Sequence, residues 1–84
     1  MAVHEVTMIL VDCNPEHGTR YPYMMVATCP GELAAFGRKL GLKAEWIRRD
    51  FGVEHFRINA IKRREAIQKG AREASMKEIV ATAA

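Results

Sequence analysis

The stretch Glu5-Val6-Thr7-Met8-Ile9-Leu10-Val11-Asp12 decides the fold. It is rich in β-branched residues and, toward its end, apolar on both alternating faces, the pattern of a strand buried on both sides and therefore central in its sheet. Asp12 closes it. Asn14-Pro15-Glu16-His17-Gly18 follows as turn chemistry, with Asn and Gly accommodating bends and Pro presetting its own φ. A second strand is expected at about Tyr23 to Ala27. Thr28 or Cys29 then opens a helix, with Pro30 in the first turn and Glu32 facing the positive helix end. In that helix Leu33, Phe36, Gly37 and Leu40 fall at the i, i+3, i+4, i+7 spacing of one buried face, and Gly41 is the natural stop. Gly37 costs roughly 1 kcal/mol of helix propensity relative to Ala, so its expected reason is a close approach of the helix to a strand.

Residues 44 to 52 are compatible with a short helical turn or with irregular extended chain. Val53 to Ile58 alternates as a third strand, with Val53, His55 and Arg57 on one face and Glu54, Phe56 and Ile58 on the other. Asn59 is a good N-cap for a helix from about Ala60 to Lys69 that closes at Gly70, with Ile61 and Ile67 expected inside and a basic outer face. Ser75 and Glu78 have capping-box spacing, which starts a terminal helix carrying Ile79 and Val80, and the alanine-rich tail from about residue 81 is expected to fray. The expectation is one α+β domain over residues 1–84: a small three-stranded sheet packed by two main helices plus a short C-terminal helix.

Composition supports that scale. Among 84 residues, 49% are hydrophobic and 27% charged, enough for one core and neither disordered nor membrane-like. The longest apolar run, near Met8 to Val11, is far short of the roughly 20 residues of a membrane helix, and no signal-peptide pattern is visible, so the cytoplasm is the expected compartment. Cys13 and Cys29 are too few for a disulfide framework, and both are expected to be reduced. A small domain without such staples commonly gains stability by oligomerising, which makes a homodimer an expectation.

The net charge of +3 hides a segregation. Residues 1–37 carry one Arg against four acids, whereas residues 38–72 carry eleven Lys and Arg against four acids. A cluster of that kind attracts polyanions or an acidic protein surface. The candidate binding residues are Arg48, Arg49, Arg57, Lys62, Arg63 and Lys69, with Trp46 and either Tyr21 or Tyr23 as stacking surfaces. The competing reading is a solvated face that keeps a small protein soluble.

Two further constellations carry chemistry. Cys13, His17, Cys29 and His55 have the donor types of a Cys2His2 zinc site, without the closely spaced cysteine pair such sites usually show. Asp12 with His17 or His55 could act as an acid-base pair, since a carboxylate at a strand end orients an imidazole. No Gly-rich phosphate loop, nucleophile elbow or paired-carboxylate cluster accompanies them. No cofactor is expected.

Several short blocks carry a family resemblance: Val11-Asp12, Met25-Val26-Ala27, Glu32-Leu33, Gly41-Leu42-Lys43, Glu45-Trp46, His55-Phe56, Lys62-Arg63 and Gly70-Ala71. Over about residues 6 to 78 the chain resembles the short bacterial and phage proteins grouped as domain of unknown function 4031. The resemblance implies a His where this chain has Met24, and a His-Tyr-Asp block where this chain has His55-Phe56-Arg57. If relatives use those polar groups for metal or acid-base chemistry, only Asp12 and His55 remain here. The leading expectation is therefore a non-enzymatic binding module, in the phage setting a modulator, whose basic surface docks on nucleic acid or an acidic host protein. The alternatives are a small metal-assisted hydrolase or nuclease using Asp12 and His55, and a structural or assembly subunit.

Overall fold

The computed structural model of the chain describes residues 8–83 except Pro30, Asp50 and Phe51, with side chains described through residue 81. The first part of the quoted strand, residues 5–7, and Pro30 of the expected helix start lie outside the described residues. Strand β1 spans Ile9–Asp12, β2 Tyr23–Ala27 and β3 Phe56–Ile58. Helix α1 spans Glu32–Lys39, α2 Ala60–Gln68 and α3 Met76–Ala83. The described residues of the 44–52 segment contain both of the forms their sequence allows. A single 3-10 turn at Ala44–Trp46 is followed by an extended bridge in which Arg48 and His55 exchange backbone hydrogen bonds of 2.8 and 2.9 Å.

A fourth strand, β4, covers Arg72–Ala74 and pairs in parallel with β1. The expected three-stranded sheet is thereby corrected to a four-stranded mixed sheet, ordered β3-β2-β1-β4, among the described residues. The reason it escapes a pattern reading is physical. Arg-Glu-Ala has no β-branched or aromatic residue, and its two charged side chains are exposed, as befits a short edge strand. What makes it a strand is the ladder edge that β1 leaves open on the side away from β2. A parallel partner must be reached by a crossover, which α2 supplies on the way from β3 to β4.

The sheet is covered on both faces, so β1 is apolar on both. Ile9 and Val11 join Met25, Phe56 and Ile58 beneath α1 and α2, while Leu10 joins Met24, Val26 and Val53 beneath Ile79 of α3. Gly37 has the reason its sequence position suggests: a Cβ there would lie 2.5 Å from the Phe56 ring. Helix α1 ends in a Schellman arrangement. Gly41 takes φ 79°, Leu42 N–H donates to Gly37 O at 2.8 Å, and Gly41 N–H donates to Arg38 O at 3.1 Å.

Both expected caps form. Asn59 accepts from Lys62 N at 2.8 Å, and Ser75 accepts from Glu78 N at 3.2 Å. The phase that Asn59 imposes on α2 overturns one expected core residue: Ile61 is 69% exposed, and Ala66 is buried in its place. Lys62, Arg63, Ala66 and Ile67 share the inward stripe of α2, so two of its basic side chains lie along the protein with their heads at the rim.

Candidate functional site

The site begins with the ladder rule that residues directly opposite on neighbouring strands share a face. Asp12 stands opposite Ala74, and Met24 stands opposite Arg57. The β1/β2 register, continued one step beyond Val11↔Met25, brings Asp12 beside Met24. Ala74, Asp12, Met24 and Arg57 therefore form one row across the α3 side of the sheet. The row is pinned where β1 ends, because the Asp12 carboxylate accepts the Met24 N–H at 3.0 Å. The Asp12 main-chain carbonyl instead accepts Arg63 Nε at 2.9 Å, so an α2 side chain holds the strand end from the other face.

Asp12 is only 2% exposed. Burial pushes its carboxyl above the ordinary carboxylate value. The Met24 N–H and the Arg57 and Arg63 charges pull it only part of the way back. This buried acid lines a cavity of about 350 Å³ with Met24 and Val53, Met76 and Val80 of α3, and Arg57. Arg57 is held in place by two partners from the β1–β2 loop: its Nε donates to Tyr21 O at 3.1 Å, and its guanidinium pairs with Glu16.

On the outer side of Arg57 lies a second and larger cavity of about 630 Å³. It brings together Tyr21, Trp46, Arg48, Arg57 and Lys62, with Leu42 and Ile58 as apolar lining. Tyr21 and Trp46 are each 51% exposed. Lys62 is positioned by donating to Leu40 O at 2.7 Å, at the C-terminal end of α1, and by Glu65 at 3.2 Å. Lys43 sits 5.6 Å from the centroid of the Trp46 ring. The result is a cationic cleft with aromatic surfaces.

The other residues singled out from sequence lie elsewhere. Arg49 pairs with Glu54 at 3.7 Å on the exposed surface. Arg63 stacks 4.9 Å from the Tyr23 ring and pairs with Glu73 on the α2 side. Lys69 lines a small cavity with Glu32 and Lys39 of α1. His55 shares the face of Asp12 but not its row: two strands across and two residues along place their Cα atoms roughly 12 Å apart. Its Nδ1–H donates to Val53 O at 2.8 Å, which engages that nitrogen in holding the approach to β3. Among the described residues, no group of three or more His, Cys, Asp or Glu side chains could hold a metal ion, so Cys13, His17, Cys29 and His55 are not brought together as a zinc site.

Comparison with known proteins adds one result. The family model described as "Protein of unknown function (DUF4031)" matches residues 9–84. The chain belongs to the DUF4031 family. No curated protein and no solved structure matches it. Met24 and Arg57, although 33 residues apart in sequence, are cross-strand partners in the Asp12 row. Among the described residues no helix is long and apolar enough to cross a membrane.

What the sequence did not single out is Glu16, nor that Tyr21, expected only as a stacking surface, holds Arg57 through its carbonyl. Glu16 and Tyr21 reach Arg57 from 41 and 36 residues upstream, and no local pattern marks such contacts. Met76 was detectable in principle, since it shares a helical face with Val80 at i, i+4 in a helix whose start Ser75 announces.

Proposed function

We propose that this DUF4031 protein is a non-enzymatic binding module that takes a nucleic-acid strand in the Trp46 cleft. The observation that carries the reading is the convergence of two half-exposed aromatic rings, Tyr21 and Trp46, with Arg48, Arg57 and Lys62 around one cavity. Aromatic faces stack on any base, and the neighbouring cations meet the phosphates, which is the arrangement that single-stranded nucleic acid rewards. A cationic surface that merely aided solubility would not require the rings and charges to share a concavity.

Trp46 is the only tryptophan, so the cleft reports on itself. Titration with a single-stranded oligonucleotide should quench its fluorescence. Three cations engaging phosphate give a slope of about −2 for log affinity against log salt. The charge reversals Arg48→Glu and Lys62→Glu should abolish the signal. Quenching by polyglutamate but by no oligonucleotide would replace nucleic acid with an acidic protein surface as the partner. Absence of both would reject the cleft as a binding site.

A further inference from the structure

The Asp12 cavity lies on the other side of Arg57 from the Trp46 cleft and has different chemistry. It combines the buried Asp12 carboxyl, the Arg57 guanidinium, four apolar side chains and, from the β1–β2 loop, Asn14 and Glu16 in a space of about 350 Å³. Each part has an unusual placement. Asp12 ends a central strand at 2% exposure, and its Oδ1 is engaged by the Met24 N–H. Arg57 belongs to the same row, and its guanidinium pairs with Glu16, whose side chain is 64% exposed while that of Arg57 is only 18% exposed. The cation is thus fixed by the structure, and its carboxylate partner comes from the solvent side. Met76 and Val80 are 42% and 49% exposed and form an apolar wall on α3 beside these charges.

A single occupant satisfies all three features. An ammonium donates to the Asp12 carboxylate, a carboxylate replaces that of Glu16 on Arg57, and an apolar side chain covers Met24, Val53, Met76 and Val80. We infer that this cavity is a binding site for a small zwitterion with an apolar side chain, namely a free aliphatic α-amino acid. An amine alone leaves Arg57 with Glu16. A carboxylate alone leaves Asp12 with the Met24 N–H as its donor and no charged one. Each lacks one charge-assisted hydrogen bond, which is why both charges are needed on one molecule.

The test is an amide NMR titration of the full chain with L-leucine, 3-methylbutylamine, 4-methylpentanoate and glycine. Leucine should give saturable shifts at Asp12, Met24, Val53, Arg57, Met76 and Val80. The amine and the carboxylate, each lacking one charge, should bind about tenfold or more weakly, and glycine, which has no side chain to cover the wall, weaker than leucine. Asp12→Asn keeps an acceptor for the Met24 N–H and should weaken leucine binding about tenfold or more, while circular dichroism verifies the fold. Glu16→Gln is a solvent-side change that removes the competing carboxylate, so it should tighten binding. Shifts absent up to tens of millimolar leucine, an amine that binds as well as leucine, or a Glu16→Gln variant that binds more weakly would each overturn the inference. None of these outcomes depends on whether oligonucleotides occupy the Trp46 cleft.

Discussion

Arg57 separates two concavities that are built in different ways. On the α3 side, the Asp12 cavity takes its geometry from the ladder: three adjacent strands place Asp12, Met24 and Arg57 in one row, and a main-chain N–H holds the carboxylate. On the outer side, the cleft is assembled from a 3-10 turn, a helix end, a loop tyrosine and the cap of α2. Apart from the Asp12–Met24 step, which the Asp12 side chain itself closes, the positions in that row are set by backbone ladder bonds. The cleft's charges are side-chain heads at the rim, some already leaning on carbonyls and acids. Disturbance of the first region should therefore register in stability and pH, and disturbance of the second in binding and salt dependence.

The largest effect should come from breaking what both regions share, the seating of β3. Phe56 precedes Arg57, and its ring occupies the space a side chain at position 37 would need. Gly37→Ala should destabilise the fold, because overpacking costs about 1–3 kcal/mol and the roughly 1 kcal/mol gain in helix propensity offsets only part of it. Urea denaturation would measure this. An unchanged midpoint would mean that β3 moves freely, and the two concavities would then have no common frame.

Arg57→Met comes next. It removes the donor to Tyr21 O and the partner of Glu16 while leaving a side chain of similar reach. Loss of a half-buried charged hydrogen-bond donor costs about 1–3 kcal/mol. Quenching of Trp46 by oligonucleotide and the leucine-dependent shifts should weaken together. If only one of them weakens, Arg57 serves one cavity and merely borders the other.

The third test reads pH. Asp12 has a folded-state pKa above its unfolded value, so the folded state holds the proton more tightly. The stabilisation from that proton is fully present below the unfolded pKa and is lost as pH rises through the folded pKa. Asp12→Asn should remove this component, so the variant should lose less stability than the parent between acidic and neutral pH. Thermal melts across that range would show it. A steeper loss in the variant would mean that the two arginines outweigh burial and that the ionised acid supports the fold. With the shift as found, Asp12 is a cost at neutral pH, and such costs concentrate where a group is kept for binding or chemistry.

These regions also differ in how readable they were. The course of β1, the Gly37 approach, the Asn59 cap and the Ser75–Glu78 start follow from local rules, because each is decided within a few residues of chain. β4 was hidden because its strand character comes from the open edge of β1 rather than from Arg72, Glu73 or Ala74. Ile61 misled for a related reason: on α2 apolar residues are spread around the helix, so the phase is set by the cap and by where Arg63 reaches Asp12 O. The cleft was half legible. Trp46, Arg48, Arg57 and Lys62 stood out by charge and type, and Tyr21 as one of two stacking surfaces, but which of these candidates converge depends on contacts across the sheet edge that sequence spacing does not encode.

The smallest expected effects are the most discriminating. Arg49 and Lys69 carry the same formal charge as Arg48 and Lys62 and belong to the same basic segment, yet neither lines the cleft. Arg49→Gln breaks an exposed pair with Glu54 and should change stability by at most about 0.5 kcal/mol. If the built cleft does the binding, Arg49→Gln and Lys69→Gln should each leave the salt slope of oligonucleotide affinity within experimental error, while Lys62→Gln lowers its magnitude by about 0.7. If net charge alone attracts the strand, all three neutralisations should weaken binding alike. Equal losses would replace a site made by convergence with a field made by composition, and the contrast between the two sides of Arg57 would then hold for the Asp12 cavity only.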